Sequence, residues 1–386
     1  MSSPSPLWQP TPGEAAPIAA APPTAGASVP ARPRRSGALL WVVAALLLPV
    51  LGILVVYFLR FLGPAASVIG VVLAAVPFVF VWFAVRLVDR WEPEPRRLLF
   101  FAVAWGAVAA VAIALGVDLL LLLTFGRLDP AFSSVVQAPV VEELAKGLGL
   151  LLLYTGARRA FDGPVDGIVY GALIGAGFAF TENVQYFATS LIEGGALQVG
   201  TTFFLRAILS PFAHVMFTSM LGFAFGLAAR RSLSTGAALR YAVPGLVAAM
   251  LLHGLWNGSA VLFDFFEVYA TVQVPLFVLF VLGVFALRRE EARLTRVRLG
   301  EYAAAGWFTP QEVDMLATGP GRRSAIAWAR SLPGDRVGVM KAFIADATSL
   351  AAARQRAVTG RDPSAAIDER RLLERTTAAR RALLAG

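Results

Sequence analysis

The sequence predicts an all-α, polytopic membrane protein of about eight transmembrane helices with a small helical cytoplasmic tail. Three observations predict it. Eight apolar segments reach or approach the ~20 residues that cross a hydrocarbon core. Hydrophobic residues stand at 57% against 15% charged, with a mean hydropathy of +0.68, far from soluble averages. The arginines between the segments alternate in density, as cytoplasmic and external loops do.

Residues 1–37 are rich in Pro, Ala and Ser without periodicity and predict a disordered arm. The arm is too long and too Pro-rich for a signal-peptide n-region, so the first apolar run reads as a retained span. The apolar segments run approximately 39–59, 66–87, 98–125, 132–155, 166–189, 203–229, 241–263 and 268–287. Connections holding Arg90, Arg96 and Arg97, then Arg158 and Arg159, then Arg230, Arg231 and Arg240 alternate with connections holding only Arg60, only Arg127, or no basic residue. This bias puts the richer set and both termini in the cytoplasm of a cell whose cytoplasmic membrane the chain crosses. From Arg288 onward the chain carries 18 Lys+Arg against 11 Asp+Glu, so most of the +9 net charge belongs to a tail. Anionic headgroups explain such arginines more simply than a nucleic acid does. Thr309-Pro310-Gln311-Glu312 is a capping box with Pro at the first helical position, and Asp362-Pro363 reads as a second helix start. The organisation expected is an arm at 1–37, a membrane domain at 38–288 and a basic helical tail at 289–386. The absence of cysteine excludes disulfides, thiolate nucleophiles and Cys-ligated metals.

Titratable residues inside the apolar segments carry the functional signal, because each costs roughly 2.5–3.5 kcal/mol or more at bilayer depth. The fourth segment holds Glu142, Glu143 and Lys146, spaced so that Lys146 can pair with either carboxylate. Neighbouring helical residues diverge by about 100°, so one glutamate can face a site while Lys146 holds the other. The fifth segment carries Gly167, Gly171 and Gly175 four apart, a face for close helix contact, and Glu182 follows at nearly the same azimuth beside Asn183. His214 and His253, the only histidines, lie in the sixth and seventh segments, with Thr218 and Asn257 one turn on. At ~1.5 Å per residue, Glu143 and His214 lie ~17 Å from the outer face, His253 ~15 Å and Glu182 ~10 Å, so opposed helices bring them to one layer.

Glu and His together can activate water for peptide hydrolysis without a nucleophilic side chain. His214 and His253 could also hold zinc, with Glu143 or Glu182 as third ligand. The residues leave both chemistries open, and no H-E-x-x-H is present. A proton- or cation-coupled transporter is the alternative, since intramembrane Glu, His and Lys also build relays; the lack of an internal repeat argues against it.

At these residues the chain resembles the PrsW family of intramembrane proteases, and more distantly the CAAX prenyl protease and bacteriocin-processing superfamily. The matching parts are Glu142-Glu143-Leu144-Ala145-Lys146, Phe178-Ala179-Phe180-Thr181-Glu182-Asn183, His214 and His253, with the Asp89-Arg90-Trp91-Glu92-Pro93-Glu94-Pro95 loop also similar. The likeness covers roughly residues 40–290. It implies a protease of the bacterial cytoplasmic membrane that cuts a membrane-anchored substrate such as an anti-sigma factor. It places Glu142, Glu143, His214 and His253 at the family's proposed catalytic positions; together with Glu182 these are the candidate catalytic residues, with Lys146, Asn183 and Asn257 in support.

Overall fold

A computed structural model of the chain describes residues 36–158, 160–334, 336–358 and 365–384. The expected arm lies outside them up to residue 35, as does the Asp362-Pro363 helix start. The described residues fall into two units, one ending at Val284 and the other beginning at Phe285.

In the first unit the helices are α1 (Ser36–Phe61), α2 (Pro64–Val88), α3 (Arg96–Ala104), α4 (Val111–Phe125), α5 (Pro130–Phe132), α6 (Ala138–Gly156), α7 (Pro164–Phe203), α8 (Ala213–Arg230), α9 (Thr235–Val261) and α10 (Phe265–Val268). The helix α11 (Val274–Ala304) contains the division between units. π-helical turns at Trp105–Ala110, Ser133–Gln137, Phe204–Leu209 and Tyr269–Gln273 join successive helices. Such turns are rare and concentrate at functional sites. No strand occurs among the described residues.

Among the described residues, six stretches are long and apolar enough to cross a membrane, by length and composition: Val42–Phe61, Pro64–Val88, Arg96–Phe125, Pro164–Arg230, Thr235–Val261 and Phe265–Ala304. The chain is an all-α polytopic membrane protein. The difference from eight segments has two causes. The fourth segment, now α6, carries Glu142, Glu143 and Lys146 within 19 residues and is too charged to count. The fifth and sixth lie within one 67-residue stretch. Residues expected to link them are helical, and the chain breaks only at Gly195, whose φ of 65° suits glycine.

The helix α7 is the centre of this unit, buried almost continuously from Pro164 to Phe178, and α2, α3 and α8 all pack on it. Glycine makes the α7–α8 approach this close. A Cβ at Gly171 would stand 2.7 Å from the Thr218 carbonyl oxygen, and Gly167 and Gly175 face the backbones of Gly222 and His214 with no more room. Lipid gives helices no hydrophobic reason to associate, so this backbone contact and its dispersion energy hold them together. Gly171→Ala should lower stability by about 1–3 kcal/mol through overpacking. Thermal melting in detergent measures it, with Gly52→Ala, where a Cβ meets nothing within 4 Å, as the unaffected control.

At the other end of the α7 contact, the loop between α2 and α3 docks onto the start of α7. Asp89 accepts the Glu94 backbone N–H at 2.9 Å and pairs with Arg86, Tyr170 donates its hydroxyl to Glu94, and Asp166 caps α7 through the Gly163 N–H at 2.7 Å. Burial pushes the Glu94 carboxyl up to about 8, with Asp162 and Asp89 adding to the rise against the hydrogen bonds from Tyr170 and Asp166. A carboxyl raised in the folded state stabilises below its unfolded value and loses that contribution as pH climbs through its folded value. Stability should therefore fall between about pH 4.5 and 8, and Glu94→Gln should flatten that fall in pH-dependent melting curves.

In the second unit, α12 (Pro310–Leu316), α13 (Gly319–Arg330), α14 (Arg336–Val358) and α15 (Ala365–Leu384) enclose a core of Leu299, Leu316, Met340, Phe343, Leu350 and Leu383. The capping box forms as the spacing predicts: Thr309 Oγ1 accepts the Glu312 N–H at 3.1 Å, and Glu312 accepts the Thr309 N–H at 2.8 Å. The other Glu312 oxygen takes Arg380 Nε at 2.6 Å, tying α12 to α15.

Candidate active site

Four helices each deliver one part of a buried ionic cluster: Glu142, Glu143 and Lys146 from α6, Glu182 from α7, His214 and Thr218 from α8, and His253 from α9. At its centre is the Lys146 ammonium, wholly buried. It donates to Glu143 Oε1 at 2.8 Å and Glu142 Oε2 at 3.2 Å, lies 3.1 Å from His214 Nδ1, and sits 3.8 Å above the Phe178 ring.

The two adjacent glutamates differ in surroundings. Glu143 is fully buried, with Thr218 Oγ1 donating to Oε2 at 2.9 Å and His253 Nδ1 3.1 Å from Oε1. Every oxygen of Glu143 is engaged. Glu142 has Lys146 and, at 3.8 Å, His253 Nε2, and its side chain keeps 13% of its exposure. Lys146 thus holds both carboxylates, where the spacing alone allowed one to be held and the other to face the site.

These contacts fix the protons on the imidazoles. An ammonium only donates, so His214 Nδ1 must accept from Lys146 and its proton sits on Nε2, which donates to Glu182 Oε2 at 2.9 Å. A carboxylate only accepts, so His253 donates from Nδ1 to Glu143, and its Nε2 lies 3.8 Å from Glu142 Oε2. The rings stand perpendicular with centroids 4.9 Å apart.

Glu142, His214 and His253 offer ligand atoms all within 4.8 Å of one another. Two imidazoles and a carboxylate are a donor set that suits a catalytic divalent metal, and Glu143 behind His253 is the outer carboxylate such ligands use. The donors fit a metal. The carboxylate grouped with both imidazoles as a possible ligand set is Glu142, where the sequence suggested Glu143 or Glu182; Lys146, Thr218 and His253 already occupy Glu143. For His214 to join through Nε2, the proton held there must leave, as metal binding commonly requires.

Residues 94–284 match the model of the family described as PrsW family intramembrane metalloprotease. The matched segment is similar to the PrsW family over just under half of the chain. The match begins at Glu94, so α1 and α2 precede it. Curated relatives named Protease PrsW include those of Clostridioides difficile strain 630, 34% identical over 39% of this chain and 62% of the relative, and of Geobacillus kaustophilus strain HTA426, 29% identical over 37% and 59%. That of Bacillus subtilis strain 168 is 28% identical over 44% of this chain and 73% of the relative. The chain thus spans about three fifths of the length of the first two. No solved structure matches it.

Two supporting residues take other partners. Asn257 Nδ2 donates to the Ser134 carbonyl at 2.8 Å, fastening α9 to the π-helical turn before α6. Asn183 Oδ1 accepts from Arg206 Nε at 2.5 Å, and the same guanidinium pairs with Glu182. Arg206 is absent from the sequence reading, although an arginine inside the apolar segment 203–229 was its signal.

Lys146→Met would leave two carboxylates and one imidazole nitrogen without their shared donor. Removing one partner of a buried pair costs about 3–5 kcal/mol in soluble proteins, and a melting-temperature loss of that order is expected here. Lys146→Arg, which restores the charge, should recover part of it in the same assay.

Proposed function

We propose that this PrsW-family chain hydrolyses a peptide bond of a membrane-anchored protein within the bilayer. The observation that carries the reading is the convergence of Glu142, His214 and His253, with one exposed carboxylate edge between two imidazoles of fixed tautomer. The relatives' names favour a protease over a transporter.

In this reading Glu142 takes a proton from water whose oxygen attacks the scissile carbonyl carbon. Glu143 is too fully engaged for that task. Electrostatic stabilisation of the charge that develops on the carbonyl oxygen is usually the largest catalytic contribution, and His253 Nε2, beside Glu142, is the imidazole nitrogen placed to supply it. As the C–N bond breaks, Glu142 returns its proton to the leaving amine. In the alternative, metal-assisted form of this reading, zinc would be held by Glu142, His214 and His253, with Glu142 then a ligand and not the base, and would supply Lewis acidity and a lower water pKa. Lys146 and Thr218 keep Glu143 set behind His253.

The loop arginines support a cytoplasmic-membrane location with both termini and the helical tail in the cytoplasm. The site then lies from mid-bilayer to the outer half, and a substrate cut near its external end, as an anti-sigma factor would be, suits it. The test is cleavage of single-span reporter proteins in proteoliposomes, read by mass spectrometry. Glu142→Gln, His214→Ala and His253→Ala should each lose at least about 100-fold in rate, the scale of acid–base and electrostatic contributions. Wild-type rates in all three variants would overturn the assignment. In the metal-assisted form, near-stoichiometric zinc, lost with activity under chelator, is the expected result of elemental analysis.

A further inference from the structure

We infer that Arg206 is a positioning residue for this site, acting through Glu182 to hold His214. The inference rests on the proteolytic reading only for its kinetic consequences; the geometry stands by itself. Arg206 is the sole lysine or arginine between Arg159 and Arg230, and at membrane depth such a charge needs a partner or a water route. It is partnered three ways by one stretch of α7. Nη2 pairs with Glu182 Oε2, Nε donates to Asn183 Oδ1, and the guanidinium lies 3.9 Å over the Tyr186 ring. Glu182 Oε2 is the same atom that accepts from His214 Nε2.

The planar guanidinium is what allows this. A fork of donors reaches two side chains while its face stacks on an aromatic ring, and a lysine ammonium cannot do both. The backbone carrying it is held as well. Arg206 sits on the π-helical turn Phe204–Leu209, where Ser210 Oγ donates to the Leu205 carbonyl at 2.7 Å and Tyr269 Oη to the Leu209 carbonyl at 3.0 Å. His214 is therefore fixed from both nitrogens, by Lys146 on α6 and by Glu182 with Arg206 behind it. A carboxylate without Arg206 would be free to turn toward its exposed side and release Nε2.

The two histidines of the chain allow a test that needs no substrate. Diethylpyrocarbonate modifies accessible imidazole nitrogens, and peptide mass spectrometry reads His214 and His253 separately in detergent-purified protein. Arg206→Met and Glu182→Gln should each raise the modification rate of His214 several-fold and leave His253 at its wild-type rate, with Arg206→Lys between. In cleavage assays Arg206→Met should lower kcat with KM unchanged. Adding it to Glu182→Gln should change little further, since residues acting as one unit are not additive. An unchanged His214 rate in Arg206→Met overturns the inference. So does an equal rise at both histidines, which marks general loosening, and so does a raised KM at constant kcat, which marks a substrate contact. If wild-type protein cuts no reporter, the proteolytic reading fails, while the His214 rates still decide the role of Arg206.

Discussion

The buried ammonium of Lys146 is the interaction on which the rest of the site depends. It is the one donor shared by both α6 glutamates and by His214, and an apolar interior makes each of those contacts stronger than it would be in water. The carboxylates alone would repel one another across adjacent positions of one helix. With Lys146 between them they become unequal: Glu143 is locked by three neighbours, Lys146, Thr218 and His253, and Glu142 keeps an open edge. Two acids of the same type, side by side in sequence, thereby acquire different capacities.

Charge extends the same argument outward. Glu142, Glu143 and Glu182 face Lys146 and Arg206, which leaves one formal negative charge in excess when both imidazoles are neutral. Such an excess is costly at depth. A proton shared among the carboxylates or a bound cation balances it, so the cluster is built to attract positive charge. This is independent of the donor-set argument for a metal and points the same way.

Part of this was legible in the sequence because short helical spacing is reliable. Glu142, Glu143 and Lys146 had to meet, being three and four apart, and the glycines at 167, 171 and 175 marked the close face of α7, on which Glu182 meets His214. Other features required coordinates. Which glutamate stays open depends on Thr218 and His253, which approach from two other helices. Asn257, one turn after His253, had the spacing of a helper yet binds the Ser134 backbone. Arg206 was hidden by its setting, since an apolar window averages out a single charge, and its partners lie more than twenty residues earlier. The link at 190–202 was expected as a loop because its composition is mixed, but helix continues on either side of Gly195.

The last constraint is geometric. The tautomers of His214 and His253 are opposite because one faces a donor and the other an acceptor through the same ring atom, Nδ1. That contrast arises from the order Lys146 and Glu143 take on one turn of α6, three residues apart. Exchanging those two side chains would preserve composition, charge and the ion pair between them, but it would alter the donor and acceptor presented to each imidazole. The nitrogen now beside Glu142 would then no longer be fixed there. The sequence order of the α6 motif, and not only its content, therefore sets which nitrogen is available for chemistry. A site of this geometry depends on that order as much as on the presence of its acids and histidines.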